Sequence, residues 1–391
     1  MTDVLKGVRV IELSTVITAP LTGMMLADLG ADVIKVEHPQ GGDPFRNFRG
    51  GQYSPNFVAY NRGKRSIQLD LRAQAGRSIL LKLAARADVL LENYRPGIMA
   101  KLGLGDDVLK AANARLIHCS ITGFGASGPY SARPAYDNVA VALSGIASLQ
   151  LDPERPQSSG PTIPDNATGM FACYGILGAF YERERTGRGH RVEVNMLEAG
   201  IAFIPDPFAN YTRAGIKSDR LTRVAASQSF AFRCSDGKLL AVHLSSQPKF
   251  FEAIVAALER PDLLQDERFT TRDLRIKNYG ELNRVFADIV ATKPRIHWMN
   301  AFEANDVPFA PVQSLQDVLD DPQVRYLRTF YQQLHPTEGE ITAIHRPVLI
   351  DGARNERALP APTLGEHTGA VLAELGYDED EIAKLRAASV I

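Results

Sequence analysis

Cysteine is scarce: Cys119, Cys173 and Cys234 are the only three in 391 residues. None forms a CxxC pair, which argues against a disulfide framework or a structural zinc site. The eight histidines are scattered without HExxH or paired-ligand spacing, so no metal is expected. No stretch approaches the ~20 uninterrupted apolar residues of a membrane span. Residues 1–10 lack an apolar core followed by a cleavage site, so a cytoplasmic chain with no membrane partner is expected. Lys and Arg number 44 against 45 Asp and Glu, for a formal net charge of −1. With no dense basic block, nucleic acid and anionic lipid are not expected as main partners.

What is present is an ordinary globular composition, 45% apolar and 23% charged, at a length that favours two domains over one. An apolar strand at 8–13, an amphipathic helix at 21–29 stopped by Gly30, and a strand at 32–37 form a β-α-β unit and predict a parallel sheet. The pattern continues through a helix at 76–86 and strands at 67–71, 88–92, 116–122 and 190–196. Beyond Met196 the character changes. Strands at 230–234 and 239–244 flank Ser235-Asp236-Gly237-Lys238, a hairpin signal, and helices are expected near 250–258, 282–291 and 298–305. The domain reading is therefore 1–205 for the N-terminal part of a large α/β domain, 220–305 for a small α+β domain, and 320–391 for a C-terminal part returning to the large one.

Several segments invite chemistry. Glu37 ends the second strand where a dinucleotide fold places its ribose-binding acid, but residues 14–20, Ser-Thr-Val-Ile-Thr-Ala-Pro, contain no GxGxxG, so a nicotinamide cofactor is disfavoured. Residues 61–66, Asn-Arg-Gly-Lys-Arg-Ser, concentrate three cations at a glycine turn, suited to phosphate or simply solvated. Asn93-Tyr94-Arg95 at a strand end offers an aromatic and a cation. Tyr136-Asp137 reads as a helix start with Asp137 as its cap. His243, His297 and His345 fall in no recognisable motif and read as structural.

The most informative residue is Asp165. It opens a long, nearly uncharged helix whose small residues, Gly169, Ala172, Cys173, Gly175, Gly178 and Ala179, predict close packing around it. Local sequence leaves two compatible roles open: an N-cap, and a carboxylate kept ionised by the helix N-terminus and available as a nucleophile. The same N–H groups are candidates for holding an oxyanion.

In chain order, LKGVRVIELSTVITAPLTGMMLADLGADVIKVEHPQGGDPFR, NRGKRSIQLDLR, ADVLLENYRPG, ITGFGASGP, AYDNVAVALSG, the Asp165 segment with TGRGHRVEVNMLEA, and APTLGEHT together resemble the family III CoA-transferases, also called CaiB/BaiF. The likeness runs from about Leu5 to the C-terminus. It implies an α/β protomer with a Rossmann-like large domain built from both chain ends, a small α+β domain, and an interlocked homodimer. It implies a transferase of sulfur-containing groups that moves CoA from an acyl-CoA donor to a carboxylic acid, with no tightly bound cofactor. Carried over by position, the CoA contacts fall on Ile17, Thr18, His38, Leu69, Asp70, Leu71, Arg72, Asn93, Tyr94, Arg95, Lys101, Arg133, Pro134, Ala135 and Tyr136. Pro134 stands where some members have lysine.

The family nucleophile matches Asp165, with Tyr136 and Asp137 as supporting candidates. A carboxylate of ordinary pKa ~3.9 is ionised at neutral pH and needs no general base. The rival activity within the resemblance is an α-methylacyl-CoA racemase, whose members carry histidine where Tyr136 stands; a non-catalytic CoA-binding protein is a third possibility. Residues 223–230, aligned with the glycine loop of the formyl-CoA:oxalate members, contain no glycine, which makes oxalate a doubtful acceptor.

Overall fold

A computed structural model describes residues 3–354 and 359–391, so four positions of the expected C-terminal part lie outside the described residues. The chain divides into two compact units. The larger comprises residues 1–146, 160–205 and 328–391; the smaller comprises 147–159 and 206–327.

The larger unit is built on six parallel strands, β1 (Arg9–Leu13), β2 (Asp32–Glu37), β3 (Lys64–Gln68), β4 (Val89–Glu92), β5 (Ile117–Thr122) and β6 (Arg191–Asn195), in the order β3-β2-β1-β4-β5-β6. Successive apolar residues alternate between two covered faces. Ile11, Ile34 and Leu90 join one core; Val10, Val33 and Val89 join the other. The connecting helices are α1 (Thr18–Asp28), α2 (Pro55–Asn61), α3 (Gln74–Ala84), α4 (Ile98–Lys101), α5 (Asp106–Ala112), α6 (Asp137–Leu143), α7 (Pro164–Thr186) and α8 (Met196–Phe203). The C-terminal segment returns beside β3, where His367 N–H donates to Ser66 and Asp70 N–H to Val390. Its Val371, Leu372 and Ile382 fill the first core.

α1 and α7 pack together on the second face, and Gly169 sets their separation. A Cβ there would lie 2.7 Å from the Thr18 carbonyl oxygen and 3.0 Å from Leu21 Cδ2. Thr22 Oγ1 donates across the contact to the Gly169 carbonyl at 3.0 Å. We expect Gly169→Ala to push the helices apart and cost about 1–3 kcal/mol, read by chemical denaturation. A stability equal to the parent chain would contradict this packing.

α7 is not buried all round, as its composition suggested. Ala172, Cys173, Ile176 and Ala179 are covered, whereas Met170, Tyr174 and Tyr181 are 55%, 75% and 71% exposed. Of its small residues, Gly178 is exposed, and a Cβ there would meet nothing.

The smaller unit holds a three-stranded antiparallel sheet of β7 (Ser229–Arg233), β8 (Leu239–His243) and β9 (Phe309–Pro311). Phe230, Phe251, Phe286, Trp298 and Phe302 fill its core. This unit extends past the expected 220–305 because β9 pairs with β8. It also takes in 147–159, where Asp152 pairs with Arg220 at 3.1 Å. Among the described residues no helix is long and apolar enough to cross a membrane.

Candidate active site

A 3-2-1-4-5-6 order reverses direction between β1 and β4, and in such sheets the crevice beyond the strand C-termini at that point receives ligands. Asn93, just past β4, bridges it. Its amide accepts from Thr15 N–H at 3.1 Å and donates to the Thr15 carbonyl at 2.8 Å and to Thr18 Oγ1 at 3.1 Å. The loop carrying Ile17 and Thr18 is thereby tied to the loop carrying Tyr94 and Arg95. Ile17 and Thr18 are themselves buried at the start of α1.

Past β2 and β3, His38, Asp70 and Arg72 form one cluster. Arg72 Nη2 lies 2.8 Å from His38 Nε2, and Arg72 Nε donates to Asp70 Oδ1 at 3.0 Å. Arg72's hydrogen bonds hold the Asp70 carboxyl below its ordinary value. Leu69 and Leu71 instead face the core, and the N–H groups of Leu69 and Asp70 are already given to Glu37 and Val390. Their part is to place Arg72. Tyr94 packs against the same core. Arg95, Lys101 and Arg133 are exposed, and the Arg133 guanidinium stacks 3.8 Å over the Tyr130 ring. Beyond β5, a Cβ on Gly123 would lie 2.2 Å from Ala135 Cβ. That contact seats the exposed Pro134 and Tyr136, the latter 71% exposed.

Asp165 is the second residue of α7, after Pro164, and is only 8% exposed. It is not the N-cap. That position is Ile163, which offers no side-chain acceptor. The capping carboxylate comes from Asp137, whose Oδ1 accepts the Asp165 N–H at 3.1 Å; Asp137 also accepts from the Ile163 backbone. Asp137 is the first residue of α6 rather than its cap, which is Tyr136, so its side chain is free to serve α7.

The consequence reverses the expectation of an acidic, always ionised Asp165. Burial first, and then the like charge of Asp137, push the Asp165 carboxyl up to about 7. The helix N-terminus does not offset this, because two N–H groups of the α7 start are spent on Asp137 and are not free for an oxyanion.

The cations of segment 61–66 are paired with carboxylates of the fold. Arg62 pairs with Asp28, Lys64 Nζ donates to Glu12 Oε1 at 3.0 Å, and Arg65 pairs with Asp32 and Glu374 at 2.6 Å each. Burial of Lys64 lowers its pKa to about 8 against the pull of Glu12. Glu37 is likewise occupied, bound by Arg46 at 2.6 and 2.8 Å and by Ser66 Oγ at 2.6 Å.

The reversal-point crevice is thus flanked by two tied loops, and a buried carboxylate, Asp165, opens α7, the helix packed against α1. The family model described as CoA-transferase family III matches residues 5–368. The chain belongs to that family. It is 35% identical to the succinyl-CoA:glutarate CoA-transferase of Mus musculus, over 99% of this chain and 90% of the relative. It is 30% identical to the α-methylacyl-CoA racemase of Homo sapiens, over 99% and 97%. A CaiB/BaiF family protein of known structure from Brucella suis superposes with a TM-score of 0.84 at 32% identity, covering 95% of this chain and 99% of that one. The protein is a CoA-transferase, and CoA is a substrate of its chemistry.

Missing from the sequence reading were Val16, Asp43, Lys35 and Glu12, which shape the loop before α1. The only local signal was Asp43 in the Gly-Gly-Asp-Pro run at 41–44.

Proposed function

We propose that this CoA-transferase carries CoA on Asp165 and passes it from succinyl-CoA to a dicarboxylic acid. The observation that carries the reading is the buried Asp165 carboxylate facing Asp137 at the start of α7. The substrate class follows the mouse relative's name. The Asp165 carboxylate attacks the donor thioester carbonyl and expels CoA thiolate, leaving a mixed anhydride. The thiolate attacks the aspartyl carbonyl, releasing succinate and leaving an aspartyl-CoA thioester. The acceptor carboxylate then attacks that thioester to form a second anhydride, and the returning thiolate takes the acceptor acyl group and frees Asp165. No net proton moves.

Displacing a thiolate (~8.5) with a carboxylate raised to about 7 is easier than with an ordinary one, the gap being on the order of 2 rather than 4.6 pK units. Burial and Asp137 thus supply nucleophilicity in place of a general base. His38, Arg72, Arg95, Lys101 and Arg133, all in the segments that follow the strands, are proposed to take the phosphates of CoA, with Ile17, Thr18 and Asn93 to Tyr94 along its arm. Asp70, Leu69 and Leu71 support Arg72, and Pro134 to Tyr136 form the lip before Asp137.

We further propose that two chains associate as an interlocked dimer. The uncovered apolar face of α7 supports this, as does an adjoining cavity of about 900 Å³ within the larger unit, lined by Met24, Met170, Leu177, Ile341 and Val348. β10 (Phe330–His335) and β11 (Gly339–Ile344) form its other wall.

The racemase reading is favoured by the paired carboxylates and by the human relative. Tyr136 weighs against it, because a phenol is a poorer proton-transfer partner than an imidazole. The deciding experiment is incubation with succinyl-CoA, quenching with hydroxylamine or borohydride, and peptide mass spectrometry. The expected result is modification at Asp165. Absence of any adduct, together with α-proton exchange in deuterated water, would replace transfer with racemisation.

A further inference from the structure

We infer that Asp43, clamped by Lys35, is a positioning residue that forces the loop after β1 into the shape that receives CoA. The inference rests on the proposal that Ile17 and Thr18 contact CoA.

Val16 has φ +71°. A β-branched residue rarely adopts the left-handed region, and such strain persists only where surrounding contacts over-determine it. Here they do. Val16 N–H donates to Asp43 Oδ1 at 3.1 Å. The other carboxylate oxygen of Asp43 pairs with Lys35 Nζ at 3.0 Å. Lys35 Nζ also donates to the Ser14 carbonyl at 2.9 Å and to Glu12 Oε1 at 3.1 Å. The same Asp43 Oδ1 accepts Phe45 N–H at 3.0 Å, which fixes the aspartate itself.

Tethers on the far sides complete the clamp. Asn93 holds Thr15 and Thr18, and Lys64 Nζ donates to the Pro20 carbonyl at 2.8 Å. Side chains from β2, β3 and the segments after β2 and β4 therefore grip the backbone at 14, 15, 16 and 20. Glu12, Lys35 and Lys64 are 0% exposed and Asp43 is 1%. Burying several ions is costly and a poor route to stability alone. Their contacts converge instead on a loop whose strained residue immediately precedes Ile17 and Thr18. Without an acceptor at Asp43 and a clamp at Ser14, Val16 relaxes to negative φ and swings the following backbone away from the crevice.

The test is CoA binding by the full-length protein, titrated with free coenzyme A by isothermal calorimetry, alongside thermal melts. Asp43→Asn and Asp43→Ala lose the same charge, but only alanine loses the acceptor for Val16 N–H. The alanine variant is expected to bind CoA at least about tenfold more weakly than the asparagine variant, the worth of one buried hydrogen bond. Equal losses of affinity overturn the inference, since both variants lose the charge and only alanine loses the Oδ1 acceptor shared by Val16 and Phe45; the melts report how much of any difference is stability. Should neither fold, Val16→Pro decides: it leaves the ionic clamp intact but removes the N–H and forbids positive φ. A loss of CoA affinity on the order of 100-fold is expected in a chain that still melts cooperatively, its midpoint lowered by the lost Val16 N–H bond. Unchanged affinity overturns the inference. Arg72→Ala and Lys101→Ala separate this from the underlying placement of CoA. If they weaken binding and Val16→Pro does not, the positioning role alone fails; if none of the three does, the site itself is wrong.

Discussion

Asp165→Asn is expected to abolish transfer and to stabilise the fold at the same time. Activity falls by at least about 10³-fold, the scale on which removal of a covalent nucleophile acts. The stability gain follows from linkage. In the unfolded chain Asp165 ionises near 3.8; in the folded chain it does so near 7. Between those values the folded chain holds a proton that the unfolded chain has released, so stability falls as pH rises through the window. Above pH 7 the whole penalty of a desolvated carboxylate beside Asp137 is present, and asparagine removes it. Urea denaturation at pH 8 is expected to show a gain on the order of 2–4 kcal/mol that shrinks to nothing below about pH 4. An inactive but destabilised variant at pH 8 would contradict the electrostatic picture; a stabilised variant with full activity would contradict the mechanism.

The second large effect is the pH dependence of the reaction. Attack requires ionised Asp165, so kcat/KM is expected to fall about tenfold per pH unit below about 7 and to level off above it. Asp137→Asn retains an oxygen for the Asp165 N–H but removes the neighbouring negative charge. The acid limb is then expected to move down by about one unit, since a like charge in contact raises a carboxyl pKa. Profiles from pH 5 to 9 for the parent chain and this variant check both statements. A flat parent profile would show that Asp165 is ionised throughout; an acid limb unmoved in the variant would leave burial as its only cause.

Much of the sheet was legible because each strand carries its own signal. Apolar runs at 8–13, 32–37, 88–92 and 116–122 end at turn residues, and both faces are covered, so they read as buried parallel strands. β3 was placed at 67–71 but runs Lys64–Gln68. Its first residues are Lys and Arg, which carry no strand signal until Glu12 and Asp32 are brought beside them. The small residues of α7 marked close packing without saying on which face; Gly169 against Thr18 uses one side, and Met170 and Tyr174 stand on the other.

The sequence by itself determined the α/β class, the order of the motifs and the presence of Asp165 at the start of a helix. These depend on periodicity, turn chemistry and residue identity, all local along the chain. Only the tertiary structure decided what the charges do. Asp137 and Asp165 are 28 positions apart, and Lys64 meets Glu12 from 52 positions away. Whether a cation is spent inside the fold, as at 62–65, or left exposed beyond β4, as at Arg95 and Lys101, depends on which carboxylate the sheet order places beside it. The proton on Asp165 has the same origin: burial and a like-charged neighbour set its affinity, and both exist only once the chain has folded.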